Sequence, residues 1–463
     1  MLVGWLIPFC LFAQQPENLD FEAPGIWQPK RLLQKEFLAD CPGGAGKCGM
    51  LSGPFTDYNS GYLHQDLPVK VSQAGRFTVT AMIKTEGVVG NGAQIYAYGK
   101  ANGAMEGYRQ STSLKGDTDW KEVTFEMILD PSMDTLRLGC YLHGEGKAWF
   151  DDLTFEVYQP SQKTTSAVAL AYLQEFFDTV RPAALYREKI DWGSLEKDAR
   201  NLATGAQTKA DTYSAIQYTL SRINKHSFFQ SPTASAAMAG EDLPDDRPDP
   251  NLHYTTGRRI NEEVAYLEMP AIGSRHQPTL ESFADSLQGL IAALDTETTT
   301  GWVLDLRKNE GGNCWPMLAG VGPLLGEGIC GHFQAPNGDN AQPWSYENGK
   351  SLQGESEIVG TRNYVLKNPK ARIAVLTGPQ TISSGEVTTT AFIGHPRARS
   401  FGQPTGGFAT TNSDFELSDG ATVYLTVSVY ADRNKQPVGE KIIPDEVIAP
   451  RAGDDFILER AVK

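Results

Sequence analysis

Residues 301–313 read GWVLDLRKNEGGN and residues 371–392 read ARIAVLTGPQTISSGEVTTTAF. Each contains a short apolar run, WVLDL and IAVLT, without the alternation of a half-exposed strand. Such runs mark strands covered on both faces. Each then breaks into a loop that opens a helix, at Gly311-Gly312 in the first and at Ser383-Ser384, with Glu386 close behind, in the second. Upstream, EVAYLEMPAI (263–272) is another strand run. TLESFADSLQGLIAALD (279–295) places Leu280, Phe283, Leu287, Leu290, Ile291 and Leu294 at the spacing of an amphipathic helix. Strands alternating with helices over 253–463 predict βαβ units and a buried, mainly parallel sheet, with the ligand site beyond the carboxyl ends of the strands. FELSDGATVYLTVSVYAD (415–432) reads as a hairpin turning at Asp419-Gly420.

Residues 161–230 carry a helical period in LAYLQEFFDTV and DTYSAIQYTLSRI, and this segment ends at Lys225-His226-Ser227. The Ser/Ala/Pro/Asp-rich stretch 231–252 reads as a linker or surface loop. Residues 16–160 are different again. RFTVTAMIKT, QIYAYGK, WKEVTFEMIL and TLRLGCYLH alternate apolar with polar residues between Gly, Asp and Pro turns, which predicts a β-sandwich.

At 463 residues, and roughly 100–200 residues per domain, the chain is multidomain. Its 40% hydrophobic and 21% charged residues are those of a globular protein. The formal charge of −15 repels phosphate backbones, so nucleic acid is not an expected partner. The apolar run from Leu2 to Ala13 is shorter than the roughly 20 residues that span a bilayer. Residues 1–15 read as a signal peptide, although without a basic n-region, and predict export to a periplasmic, cell-surface or extracellular location with no transmembrane helix. Phe9 before Cys10 disfavours lipid attachment there. Cys41 and Cys48 flank a Pro/Gly-rich loop that could close as a disulfide. The cysteines lack zinc spacing, and P-loop, dinucleotide and HExxH motifs are absent. No cofactor is implied for catalysis.

Taken alone, Ser383 followed three residues later by Glu386 is a helix N-cap with a capping box, and a Gly pair after a strand is a tight turn. Together the two loops suggest more. A serine at a helix N-terminus facing bare backbone N–H groups is an arrangement that stabilises a tetrahedral oxyanion.

Read in order, GWVLDLRKNEGGN, IAVLTGPQTISSGEVTTTAF, FGQPTGG, FELSDG and EKIIPDEV resemble the C-terminal-processing (tail-specific) serine peptidase superfamily, which includes the tricorn core protease and interphotoreceptor retinoid-binding protein. The resemblance implies an α/β core of the crotonase or Clp-protease type, with Ser383 as nucleophile and Ser384 with Gly311 or Gly312 as oxyanion donors. One branch activates the serine with a lysine, but Phe408 stands at that position in GQPTGGFAT. The tricorn-like branch uses a histidine from the upstream helical segment and a late glutamate, which His226 in NKHSFF and Glu440 in GEKIIPDEV match. A neutral imidazole near its ordinary pKa of about 6.5 suits a general base. A lone histidine at a helix end is otherwise a cap or a partly buried structural residue. Trp315 is placed to line a substrate groove or simply to pack, and Asp305 and Arg307 read as structural. Many family members carry a PDZ domain after the helical segment, for which residues 229–264 leave no room.

At the other end of the chain, NLDFE (18–22) and AWFDDLTFEV (148–157) resemble the ends of exported jelly-roll modules of the carbohydrate-binding, galactose-binding-like type. That likeness implies a structural calcium, for which Glu22 and Asp152 are the candidates, and a glycan as a possible partner. The leading expectation is an exported serine peptidase of Ser-His-Glu type acting on peptides or proteins. A catalytically silent ligand- or carbohydrate-binding protein on the same fold is the alternative, and an esterase remains open because the same groups serve both reactions.

Overall fold

The computed structural model describes residues 10–12, 18–23, 27–30, 37–43, 46–55, 61–240, 243, 244, 246–360, 362–449, 451 and 455–463. The chain divides into two compact units, Met1–Leu173 with Gly193–Tyr218, and Gln174–Trp192 with Thr219–Lys463.

The first unit is β-rich. Its long strand Gly75–Ala101 pairs antiparallel with Leu114–Leu129, Thr135–His143 and Lys147–Val157. The period-two runs explain the faces. Val79, Ala81 and Ile83 are buried while Thr78, Thr80 and Lys84 are partly exposed. The inward set joins Phe125, Leu136, Leu138 and Phe150 in one core. Cys41 and Cys48 form a disulfide, with Cα atoms 5.3 Å apart. Of the expected signal peptide, only Cys10–Phe12 lies within the described residues, as a strand antiparallel to Val69–Val71. Among the described residues no helix is long and apolar enough to cross a membrane.

The segment expected to be helical contains Ala167–Ala183, Trp192–Leu202 and Tyr213–Ile223, and the division between units runs through it. The stretch expected to be a linker holds a helix, Pro232–Ala239. Its end signals are local: Ser231 accepts the Ala234 N–H, proline stands in its first turn, and Gly240 follows in the left-handed region.

The second unit contains the parallel sheet. Val264–Glu268, Gly301–Asp305, Arg372–Thr377 and Ala398–Gly402 lie side by side in chain order, all parallel, with Thr256–Arg259 antiparallel at one edge. Alternate residues bury on opposite faces. Leu267, Trp302, Leu304, Ile373 and Val375 face the helix Gln277–Leu294, and Tyr266, Val303, Ala374 and Leu376 join the cluster that includes the helix Phe456–Val462. This double cover is why the strands read as unbroken apolar runs.

A second, antiparallel sheet was not legible in the sequence. Thr422–Asp432 is its long strand, with Thr410–Glu416 along one edge and Phe228–Gln230 and Gly328–Gln334 along the other. Three short strands between Gln342 and Gly360 extend it. The expected hairpin is present, with Gly420 at φ 84° in its turn.

Candidate active site

The loops that leave the carboxyl ends of Gly301–Asp305 and Arg372–Thr377 meet, as expected for a parallel sheet. Buried Asn309 organises the first loop. Its amide donates to the Pro270 carbonyl at 2.9 Å, its oxygen accepts the Gly311 N–H at 3.0 Å, and its own carbonyl accepts the Ile382 N–H of the second loop at 3.1 Å. Gly311 and Gly312 have φ of 93° and 104°. A Cβ on Gly311 would lie 2.8 Å from the Ser383 Cβ, and one on Gly312 would lie 2.1 Å from the Ile272 carbonyl. Glycine is required at both positions by conformation and by space. The Ser384 hydroxyl donates to the Gly312 carbonyl at 2.6 Å, clamping one loop to the other.

Ser383 begins the helix Ser384–Phe392 at φ 52° and ψ −117°, a conformation that costs a non-glycine residue free energy. Glu386 helps to hold it there. This fully buried carboxylate accepts the Ser383 N–H at 2.9 Å, the Phe408 N–H at 2.9 Å, the Gly407 N–H at 3.2 Å and the Thr405 hydroxyl. Burial pushes its pKa up while these donors pull it down. The sequence showed Glu386 only as a capping-box partner. In the structure it also ties the serine turn to residues 405–408.

The Ser383 Oγ lies 3.0 Å from His226 Nε2. His226 Nδ1 lies 2.8 Å from Thr410 Oγ1, so a proton on Nδ1 leaves Nε2 free to accept the serine hydroxyl. Neighbouring side chains fix the histidine backbone. Its N–H donates to Asn224 Oδ1 at 2.9 Å and its carbonyl accepts from Asn412 Nδ2 at 2.7 Å. Ser227 accepts the Thr426 N–H at 2.9 Å, and Thr426 in turn donates to Asn412 Oδ1 at 2.8 Å. Burial, with a smaller push from the Lys225 charge, lowers the His226 pKa to about 4, so the imidazole is neutral at ordinary pH.

Two expectations need correction. Glu440 does not orient the histidine: its side chain is exposed, its carbonyl accepts the Ala409 N–H, and Thr410 holds Nδ1 instead. The Gly311 N–H is not a free donor, because Asn309 takes it. The N–H groups of Gly312 and Ser384 have no partner among the described residues, and Gly312 is exposed. Phe408 packs edge-on to His226 with ring centroids 5.3 Å apart, and the Lys225 ammonium sits over the Phe408 ring, 5.1 Å from its centroid.

A cleft of about 670 Å³ opens over these groups, lined among others by Lys225, Arg275, Trp315, Phe333 and Tyr424. Trp315 meets Phe333 edge-on at 6.3 Å. The buried Tyr430 hydroxyl also reaches Ser383, a contact with no sequence signal. Cys314 is buried and its thiol is pushed up to about 12, which leaves it inert. Asp305 and Arg307 are structural, the guanidinium bridging Asp305 at 2.6 Å and Asp455 at 2.7 Å.

Glu22 and Asp152 both lie close enough to Asp151 for their charges to act on it. Glu22 accepts the Lys47 N–H at 3.0 Å. Among the described residues, the His/Cys/acid trio with ligand atoms within 4.8 Å of one another is Cys41, Cys48 and Asp151, and its sulfurs are joined to each other. Burial and the charges of Asp152, Glu22 and Asp20 raise the Asp151 pKa to about 6.

Residues 263–448 match peptidase family S41. The nisin-resistance protein of Lactococcus lactis subsp. lactis is 26% identical over 282 residues, 60% of this chain and 81% of that protein. A carboxyl-terminal-processing protease of Synechocystis sp. is 30% identical over 160 residues, which cover 34% of this chain and 32% of that protein. A solved lipoprotein structure from Streptococcus agalactiae has the same fold over 65% of this chain and 97% of its own, with a TM-score of 0.50 and 23% identity. It is residues 263–448 that resemble peptidase family S41.

Proposed function

We propose that this protein is a serine peptidase that hydrolyses peptide bonds through an acyl-enzyme on Ser383, by a Ser-His rather than a Ser-Lys mechanism. The observation that carries the reading is the 3.0 Å contact between Ser383 Oγ and a neutral, fixed His226 Nε2. His226 takes the serine proton as Oγ attacks the scissile carbonyl. The unpartnered Gly312 and Ser384 N–H groups receive the oxyanion, and His226 returns the proton to the leaving amine. Water repeats the cycle to release the acyl group. Thr410 keeps the imidazole in the tautomer this requires. The Cys41–Cys48 disulfide favours an oxidising compartment, in line with export.

Intact-mass spectrometry after treatment with a fluorophosphonate probe tests this. One adduct is expected on the wild type, lost in Ser383→Ala and His226→Ala and kept in Ser384→Ala. A folded wild type that takes no label would replace the peptidase reading with the silent binding protein.

The β-rich unit favours a glycan as a further partner. Tyr62, Tyr96, Tyr98, Tyr108 and Tyr141 lie together, with neighbouring ring centroids 5.2 to 6.2 Å apart, on the face opposite the buried Ile95, Ala97 and Leu138. Gly139 makes room for Tyr96, since a Cβ there would lie 2.4 Å from its ring. Aromatic faces beside polar groups suit the apolar face and hydroxyl rim of a sugar. A glycan array probed with the full chain should give hits that Tyr98→Ala and Tyr108→Ala lose, and hits unchanged in both variants would refute this.

A further inference from the structure

At the edge of the parallel sheet opposite to the serine loop is a second pocket, of about 380 Å³. Val264, Gly301, Arg372 and Ala398, each the first residue of a parallel strand, all line it, whereas Ser383 follows a strand end. The chain as a whole carries a charge of −15, yet Arg372, Arg397, Arg399, Arg460 and Lys463 line this pocket with a single side-chain carboxylate among them. That carboxylate, Glu446, is already shared by Arg460 at 2.5 Å and Arg399 at 3.3 Å.

The other cations have no carboxylate partner among the described residues. Arg397 is half-buried, and its guanidinium donates to the carbonyls of Ala371 at 2.8 Å and Leu324 at 3.1 Å, bonds that neutralise no charge. Its pKa is lowered by burial, and its charge, after burial, helps to push neighbouring His395 to about 4. Arg372 and Lys463 are exposed beside it. Five basic side chains against one side-chain carboxylate leave positive charge in excess. Charged groups held away from water are ordinarily paired. Here the charge of a half-buried guanidinium has no carboxylate to balance it.

We propose that this pocket binds a multiply charged oxyanion of the phosphate class, with Arg372, Arg397 and Lys463 supplying the charge. Planar guanidinium groups bind tetrahedral oxyanions by paired hydrogen bonds, and two of them with an ammonium match a ligand of two or more negative charges. The site is separate from Ser383, so occupancy raises stability by mass action without competing with a substrate.

Titration of the full chain with inorganic pyrophosphate, by calorimetry and by thermal unfolding at matched ionic strength, tests the proposal. A saturable isotherm is expected, with a rise in Tm that chloride at equal ionic strength does not give. Arg372→Ala is the deciding variant, because its exposed side chain makes no bond on which the fold depends. It should weaken binding by about tenfold or more, while fluorophosphonate labelling of Ser383 proceeds at the wild-type rate. Lys308→Ala, on another face of the same unit, should bind as the wild type does. No saturation, or equal weakening in Arg372→Ala and Lys308→Ala, would overturn the site. Labelling at Ser383 reports separately on the peptidase reading.

Discussion

Replacing Thr410 by valine removes one hydroxyl and keeps the shape of the side chain, so it isolates the bond to His226 Nδ1. With the imidazole neutral, that 2.8 Å bond joins two neutral groups and contributes about 1 kcal/mol. During attack on the substrate the ring becomes an imidazolium, and a hydrogen bond from a charged donor contributes about 1.5–3 kcal/mol. The difference, about 0.5–2 kcal/mol, is felt in the transition state and not in the ground state. It corresponds to a fall in kcat of about 2- to 30-fold with KM nearly unchanged. The assay is steady-state hydrolysis of a fluorogenic peptide, with the rate of fluorophosphonate labelling measured in parallel. Thr410→Ser, which restores the oxygen, should recover most of the loss, and Glu440→Gln should stay within about twofold of wild type, because its carboxylate does not touch the ring. A Thr410→Val enzyme of normal kcat, or a Glu440→Gln enzyme as impaired as Thr410→Val, would refute the assignment of Thr410 as the positioning residue.

The pH dependence follows from the same histidine. Its folded pKa of about 4 lies below its ordinary 6.5, so kcat/KM should hold down to the region of pH 4 and fall as Nε2 protonates, with the limb moving upward in Lys225→Met. The same depression means that the unfolded chain binds the proton first, so stability should decline as pH falls from about 6.5 towards about 4, measurable as a falling Tm. Gly311→Ala should fold but label slowly, since its methyl would press on the Ser383 Cβ at 2.8 Å and disfavour the φ of 93°; labelling at the wild-type rate would show that this contact relaxes without consequence. Glu386→Gln keeps the size but turns an N–H₂ towards backbone N–H donors, and should lower stability by about 1–3 kcal/mol together with activity, read by denaturant unfolding and by labelling.

What could be read from the sequence was whatever rests on a local pattern. WVLDL and IAVLT gave buried parallel strands because both sheet faces are covered. Gly311-Gly312 gave a bare turn because no other residue fits it, and NKHSFF gave His226 through its place in an ordered set of motifs. The orienting residue was hidden because it depends on register. Thr410 and His226 are 184 residues apart and meet only because Thr410–Glu416 and Phe228–Gln230 flank the same strand, Thr422–Asp432. A glutamate in a fitting motif was therefore preferred to a threonine in none. The antiparallel sheet between Gly328 and Gly360 escaped notice for a different reason: its strands are four to seven residues long, too short for a period to declare itself.

The neighbours of His226 also decide which part of the site carries the most catalysis. A carboxylate at Nδ1 would stabilise the imidazolium directly, but among the described residues only a hydroxyl is there, and the adjacent charge, Lys225, is positive. Both facts favour the neutral base before attack and disfavour the cation during it. The imidazolium must then draw its compensation from the negative charge that forms beside it, the oxyanion, whose placement is fixed by the Gly312 and Ser384 N–H groups and by the room Gly311 leaves for Ser383. Removing one oxyanion donor from a serine enzyme typically costs about 10²–10³ in kcat, more than the loss expected at Thr410. Gly311→Ala removes no donor but displaces Ser383 relative to both donors, so the losses should rank Ser383→Ala and His226→Ala first, Gly311→Ala next, Thr410→Val third and Glu440→Gln last. An inversion of the middle two would mean that stabilising the imidazolium, and not the oxyanion, limits this site.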